Sequence, residues 1–276
     1  MIVDENDNRY VVFDAHTHMG NRPIKSQVSA TADVTAKDKI DEMNGAGVDL
    51  AVVFARANPA DYRDANVGIL DAMQSHPDRL VAYARIHPYF RETAAQDVAR
   101  FAAAGVKGIK LHPLRDFSGN AINDREIIFP IIAEAEKHRL LVLIHSGNWW
   151  NCTPSLIGDL AAEFPTVNFV IAHCGEHGGH QEAIGVLKRL PNTYVDTADV
   201  YPPSIITNVV RAVGADRVLY GSDHPATPMR LEVEKVAKYC KMTPSELALV
   251  LGQNWLRLLE IPTPEPAGPV VRLVDL

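Results

Sequence analysis

The 276-residue chain is poor in cysteine, has no excess of positive charge and contains no long apolar run. Its three cysteines, Cys152, Cys174 and Cys240, are odd in number and far apart. That spacing excludes a disulfide framework and a paired-thiol zinc site, and reduced thiols are expected. Lysine and arginine total 27 against 34 aspartates and glutamates, a formal net charge of -7. A surface that neutralises phosphates carries a basic excess or stripe, so no nucleic-acid partner is expected. No stretch approaches the length of a membrane span, and the opening MIVDENDNRYVV lacks a basic segment followed by an apolar one. Neither a membrane partner nor a secretory signal is therefore expected, and the cytoplasm is the expected location.

What the chain does contain is a composition typical of globular proteins, 47% hydrophobic and 22% charged. Its length suits one α/β barrel, a fold that commonly takes about 250 residues as a single domain. Eight short β-branched apolar runs recur along it: YVVFDAH, VDLAVVFA, RLVAYARIH, VKGIKLH, LLVLIHS, VNFVIAHC, TYVDTAD and RVLYGSD. Helical patterns alternate with them near residues 35–46, 62–75, 92–104, 124–138, 154–163, 180–190, 203–213 and 230–240. Strand and helix in alternation predict parallel strands with crossover helices, here a single (β/α)8 TIM barrel. A further segment, TPSELALVLGQNWLRLLEI, has Thr243 as cap, Pro244 in the first turn and Glu246 three residues after the cap. It predicts an extra C-terminal helix that closes the domain. The prolines of PTPEPAGP then forbid a helix, so residues 1–261 are expected to form the barrel and 262–276 an extended arm. Such an arm could pack on a neighbouring subunit, and a homodimer is expected.

Polar residues end these runs: His16 and His18, Arg56, His87, Lys110 and His112, His145, His173, Asp196 and Asp223. The C-terminal strand ends of a barrel converge on one face, so residues distant in sequence become neighbours there. His16 and His18 are two apart, and strand alternation points both the same way. An isolated H-x-H is more often an ordinary surface or core pair. Here His145, His173 and Asp223 end other strands, and four imidazoles and a carboxylate converging on one mouth point to metal binding. Zn²⁺ suits such ligands best, with Mn²⁺, Fe²⁺ or Co²⁺ as alternatives.

FDAHTHMG, GIKLHP, LVLIHSG, FVIAHCG, LYGSDHP and GQNWLRLL together resemble the amidohydrolase superfamily over residues 11 to about 260. Within it they resemble the amidohydrolase-related branch of small metal-dependent hydrolases, lactonases and enzymes of the aminocarboxymuconate-semialdehyde decarboxylase type. The resemblance implies His16, His18, His145 and Asp223 as metal ligands, with His173 a further ligand or an acid/base. An ion held there would acidify water and polarise a carbonyl, Asp223 would accept the proton, and His173 would stabilise developing charge.

Lys110 has two readings. In binuclear members of the superfamily a fourth-strand lysine is carboxylated and bridges two metals, and GIKLHP looks like that segment. Members of the branch commonly hold one metal, which makes Lys110 an uncarboxylated residue that pairs with a substrate carboxylate or a nearby acid. One ion is favoured, and His112 is then expected to contact substrate. Arg56, Arg85, His87 and Arg115 could offer charge to an anionic substrate, although strand-end arginines often neutralise neighbouring acids instead. Trp149, followed by Trp150, could wall the site for a ring or acyl group, with packing as the alternative. His177 and His180 are expected to be structural or to contact substrate, and His76 and His138 to sit at helix ends. His224, next to Asp223, should turn away from the metal, and Cys174 should pack in the barrel layer.

The leading expectation is a hydrolase that cleaves an amide, cyclic amide or lactone of a small carbonyl compound. A metal-dependent non-oxidative decarboxylase is the first alternative, since it would use a comparable site. Lys110 and the modest chain length favour hydrolysis. A non-catalytic metal- or ligand-binding barrel is a third alternative, and it would predict a damaged constellation, which is not what these residues form.

Overall fold

Strand-forming runs that are apolar on both faces must be covered on both, and the chain does this by winding them into a barrel. The structure is a computed structural model that describes residues 1–20, 34–56, 61–117, 119–147, 149–176, 178–265 and 268–276. Three short strands or strand pairs open the chain: β1 (Ile2–Val3), β2 (Arg9–Tyr10) and β3 (Phe13–Met19). β4 (Leu50–Ala55), β5 (Leu80–Arg85), β6 (Gly108–Leu111) and β7 (Leu141–Ile144) follow. β8 (Phe169–Ile171), β9 (Thr193–Asp196) and β10 (Val218–Leu219) complete the parallel sheet, in which β3 to β10 lie in sequence order. All eight expected runs are these strands. The two edges meet at a parallel bridge between Thr17 and His224, with hydrogen bonds from His18 N to His224 O and from Asp223 N to His16 O, both 2.8 Å.

The helices cover the outside: α1 (Ala36–Ala46), α2 (Arg63–Ser75), α3 (Glu92–Ala103), a short α4 (Pro113–Asp116), α5 (Phe129–Lys137) and α6 (Pro154–Glu163). They continue with α7 (His180–Arg189), α8 (Ser204–Val213) and α9 (Met229–Glu234), which runs on through a wider turn to Tyr239. Thr35 opens α1 with a capping box shared with Asp38, which satisfies backbone donors that a bare helix start would leave open. The helix expected from residue 124 starts later, at Phe129. Asp124 is the reason: its Oδ1 accepts from the backbone of Glu126 and Ile127, and a local turn replaces the first helical turn.

Two apolar layers result. One lies between sheet and helices. The other fills the barrel, with Phe13, Phe54, Tyr83, Leu143 and Val170 inside it. The closing segment is helical as expected, α10 (Pro244–Ala248) continuing by a wider turn into α11 (Asn254–Leu258), and Thr243 caps it with Glu246. Its Trp255 is fully buried in the barrel layer beside Phe13, 6.1 Å between ring centroids, and donates to Tyr220 O at 3.2 Å.

Gly252 lets this segment approach the first barrel strand. A Cβ there would stand 2.5 Å from Val11 O, a backbone atom that cannot swing aside. Gly to Ala inside an ordinary helix stabilises by up to about 1 kcal/mol. Gly252→Ala should instead destabilise by about 1–3 kcal/mol through overpacking. Urea unfolding is the check, and a gain in stability would contradict the packing described.

The tail returns to its own chain. β11 (Val271–Arg272) pairs in parallel with β1 of its own chain, Ile2 opposite Val271, and β2 completes a three-stranded sheet outside the barrel. The arm thus pairs with its own chain at Val271 and Arg272. No helix among the described residues is long and apolar enough to cross a membrane.

Candidate active site

β3 delivers His16 and His18 to the mouth, and the loop after β10 brings Asp223 across the barrel seam to meet them. Asp223 Oδ1 lies 3.3 Å from His16 Nε2 and 3.0 Å from His18 Nε2. Beneath them the buried Asp14 accepts from the backbone N–H of His16 at 3.2 Å and of Ser222 at 3.0 Å, which ties the two strand ends together.

The tautomers follow from the partners. His16 Nδ1 donates to the buried carboxylate of Asp196 at 2.8 Å, and His173 Nδ1 donates to the carbonyl of Ala198 at 2.9 Å. In a neutral ring the basic nitrogen is then Nε2 in both cases. Pairing one ring nitrogen with a carboxylate or carbonyl is how metal-binding imidazoles are commonly oriented. Asp196 was visible in the sequence as a strand-end acid but was given no role. The requirement that His16 have such a partner is the signal that would have assigned it.

Burial sets the protonation states. It lowers the His16 pKa to about 4, helped by the field of Lys110 and opposed by Asp196, and lowers that of His18 to about 3. Burial alone would raise the Asp223 carboxyl, but the hydrogen bond from His18 and the fields of His16 and His173 outweigh it and hold Asp223 well below the usual range. Burial also brings Lys110 down to about 7, against the attraction of Asp196 and Asp223. Its Nζ donates to His16 Nε2 at 3.1 Å.

These shifts carry a pH dependence. The unfolded chain protonates His16 below 6.5 whereas the folded chain resists until about 4, so the unfolded state binds more protons between those values. Stability from this group is full above 6.5 and is lost as pH falls through about 4, amounting to about 3 kcal/mol at 1.36 kcal/mol per unit. Urea midpoints of metal-stripped protein should therefore fall steeply between these pH values, and a flat profile would contradict it.

One cluster of donors among the described residues could hold a metal ion: His16, His173 and Asp223 offer ligand atoms within 4.8 Å of one another. His18 joins it through Asp223. His145 stands one ring away, its centroid 5.0 Å from His173, with Nε2 3.6 Å from Glu176 Oε2. His112 stacks on His145 at 3.9 Å. Imidazole nitrogens gathered around an ionised carboxylate fit a divalent transition ion.

These residues line a cavity of about 300 Å³, together with Arg56, Arg85, Lys110, His112, Arg115, Glu176 and Asp199. Glu176 and Asp199 come from loops after β8 and β9 that have no periodic pattern, and the sequence offered no signal for them. Arg85 lines the cavity but its charge is committed to Asp116 in a bidentate pair, 2.9 and 3.0 Å, so the neutralising role applies to it. His87 packs against Tyr62 and Phe90 outside the lining. Trp149 is not among the lining residues either. It is half exposed and Trp150 more so. His224 turns away from Asp223 as expected and accepts from Lys39 Nζ at 2.6 Å. Cys174 is buried, its Sγ donating to Asp196 O at 3.1 Å. His177 and most of the loop 19–32 lie outside the described residues.

A barrel whose strand ends gather imidazoles, carboxylates and a buried lysine in one mouth has the architecture of an amidohydrolase-superfamily enzyme. The amidohydrolase family model matches residues 13–261, and the chain belongs to this family. Among solved structures, it is similar to 2,6-dihydroxybenzoate decarboxylase from Rhizobium, with 14% identity, a TM-score of 0.75 and coverage of 92% of this chain and 99% of that one. It is also similar to 5-carboxyvanillate decarboxylase from Novosphingobium aromaticivorans, a structure with bound manganese, with 16% identity, a TM-score of 0.76 and coverage of 94% and 100%. A third is a probable 2-pyrone-4,6-dicarboxylic acid hydrolase from Acinetobacter baumannii with citric acid bound, with 18% identity, a TM-score of 0.68 and coverage of 90% and 99%. At such identities the likeness is one of fold. A comparison with curated proteins returns no match.

Proposed function

We propose that this chain is a metal-dependent hydrolase that cleaves a C–N or C–O bond of a small carbonyl compound: an amide, a cyclic amide or a lactone. The observation that carries the reading is Asp223. It is a carboxylate kept ionised by His18 and His16 in the centre of the mouth, with the His173 imidazole beside it. The residues that would hold the ion are His16, His18, Asp223 and His145, with His173 and Lys110 as further candidates. A divalent ion there, zinc in this reading, supplies Lewis acidity that polarises a carbonyl and acidifies water.

The chain's own groups do the rest. Asp223 takes the proton of the attacking water and passes it to the leaving nitrogen or oxygen. His173, fixed through Nδ1 to Ala198 O, has Nε2 left as the basic nitrogen with which it shares in proton transfer. Arg56, Lys110, His112 and Arg115, which line the same cavity, orient a carboxylate or carbonyl of the substrate.

The same cationic wall also suits a carboxylate that leaves as CO2, and two of the structural relatives named above are decarboxylases, so decarboxylation is the second reading. Turnover in ¹⁸O-labelled water separates them. Hydrolysis places label in the product, whereas CO2 release without label would overturn the leading proposal.

One ion per chain is proposed, with Lys110 as substrate anchor. Lys110→Ala should then keep its ion by elemental analysis while KM rises for anionic substrates. Two ions in the unaltered protein, with loading lowered in Lys110→Ala and activity partly rescued by short carboxylic acids, would instead support a carbamate bridge. We also propose a cytoplasmic homodimer with residues 1–261 as the catalytic unit. Val270 and Val274, which stay more than half exposed on the docked tail, support a second copy there. Light scattering that returns a monomer would remove that proposal.

A further inference from the structure

The walls of the mouth are charged in opposite senses. Arg56 follows β4, Lys110 lies on β6, and His112 and Arg115 follow it, whereas Glu176 follows β8 and Asp199 follows β9. In an eight-stranded barrel β4 faces β8, so Arg56 stands across the mouth from Glu176, and β6, with Arg115 after it, lies between β4 and β8 on the ring. The donor cluster of His16, His173 and Asp223 lies between them.

A second cavity, of about 290 Å³, opens on the anionic side. It shares His173, Glu176 and Asp199 with the first, and His180, Val200 and Tyr201 continue its wall. His173 therefore stands as a partition between two chambers, with its Nδ1 fixed to Ala198 O. Val200 and the Tyr201 ring offer apolar surface to a short chain, and the two carboxylates stand where that chain enters.

We propose that the second cavity is the leaving-group subsite, and that the enzyme takes a dipolar substrate whose acyl part bears a carboxylate and whose leaving part bears an ammonium group. This rests on the hydrolase reading and adds to it the class of substrate. The acyl carboxylate sits against Arg56 and Arg115, the scissile carbonyl lies at Asp223 and His173, and the ammonium enters the chamber bounded by Glu176 and Asp199. For an amide, water adds to the carbonyl carbon, the C–N bond breaks, and the proton taken from water goes to the departing nitrogen. The products are a dicarboxylate and a diamine, each with its own chamber.

Isothermal calorimetry on the purified protein with two probes tests this: N-(3-aminopropyl)succinamic acid and N-butylsuccinamic acid, its isostere that keeps the carboxylate and lacks the ammonium group. The ammonium-bearing probe should bind about tenfold more tightly, the scale of one charge-assisted hydrogen bond in a partly buried site. Glu176→Gln or Asp199→Asn should bring the ratio of the two dissociation constants toward one. Arg115→Gln should weaken both probes together and keep the ratio. Equal affinity for the two probes in the unaltered protein, no binding of either, or a ratio unchanged in both acidic variants would overturn the proposal. Product analysis on the same samples keeps the two ideas apart. Preferred binding without hydrolysis sinks the hydrolase reading and leaves the dipolar site, whereas hydrolysis of both probes at equal affinity does the reverse.

Discussion

Asp223→Asn should lower kcat by about 10³-fold or more while the barrel stays folded, near the upper end of what a general base contributes. Asparagine preserves the shape of the side chain but removes its charge and its ability to take a proton. The backbone anchor, Asp223 N to His16 O at 2.8 Å, is untouched, so circular dichroism should be unchanged. Two losses coincide in this variant. The proton acceptor disappears, and so does the anion that faces both His16 Nε2 and His18 Nε2. Ion content by elemental analysis should therefore fall together with activity. A variant with kcat within tenfold of the unaltered protein and full ion content would remove Asp223 from the mechanism.

The fold was legible because barrel strands are covered on both faces, which turns LAVVFA or LVLI into near-continuous apolar text, and because Thr35 and Thr243 write their helix starts into the sequence. The site was legible as far as it sits on strand ends. His16, His18, Lys110, His145 and Asp223 follow apolar runs, and a barrel brings such positions together whatever the loops do. What was not legible lies in the loops and in the pairing of one polar residue with another. Glu176 and Asp199 occupy segments without period. The tail's return to β1 depends on Ile2 and Val3 being free to take another strand, a long-range pairing that no local pattern announces. Trp149 follows His145 closely enough to suggest a wall, yet it stands half exposed and outside the cavity lining.

Arg85 shows how partner identity decides between recognition and architecture. Its side chain is fully buried at the end of β5, with a bidentate pair to Asp116, a bond to Ala55 O at 3.3 Å and the Tyr62 ring 4.8 Å from its guanidinium carbon. Tyr62 Oη also donates to Asp116 at 2.6 Å. Asp116 ends α4, which follows the strand that carries Lys110, so the pair pins the loop after that strand to the neighbouring strand. Asp116→Ala leaves a buried guanidinium without its counter-charge, and breaking a buried pair from one side costs about 3–5 kcal/mol. That is a large part of the roughly 5–15 kcal/mol that holds an ordinary domain together. Tm should fall by on the order of 10 °C, at about 2–4 °C per kcal/mol for a chain somewhat smaller than this one. Replacing both partners by apolar residues of similar volume, Arg85→Met with Asp116→Leu, should recover most of the loss, because desolvation of the charges no longer has to be offset. Calorimetric melting of the single and double variants decides it. A single variant that melts within about 2 °C of the unaltered protein would return Arg85 to the set of residues free to hold substrate.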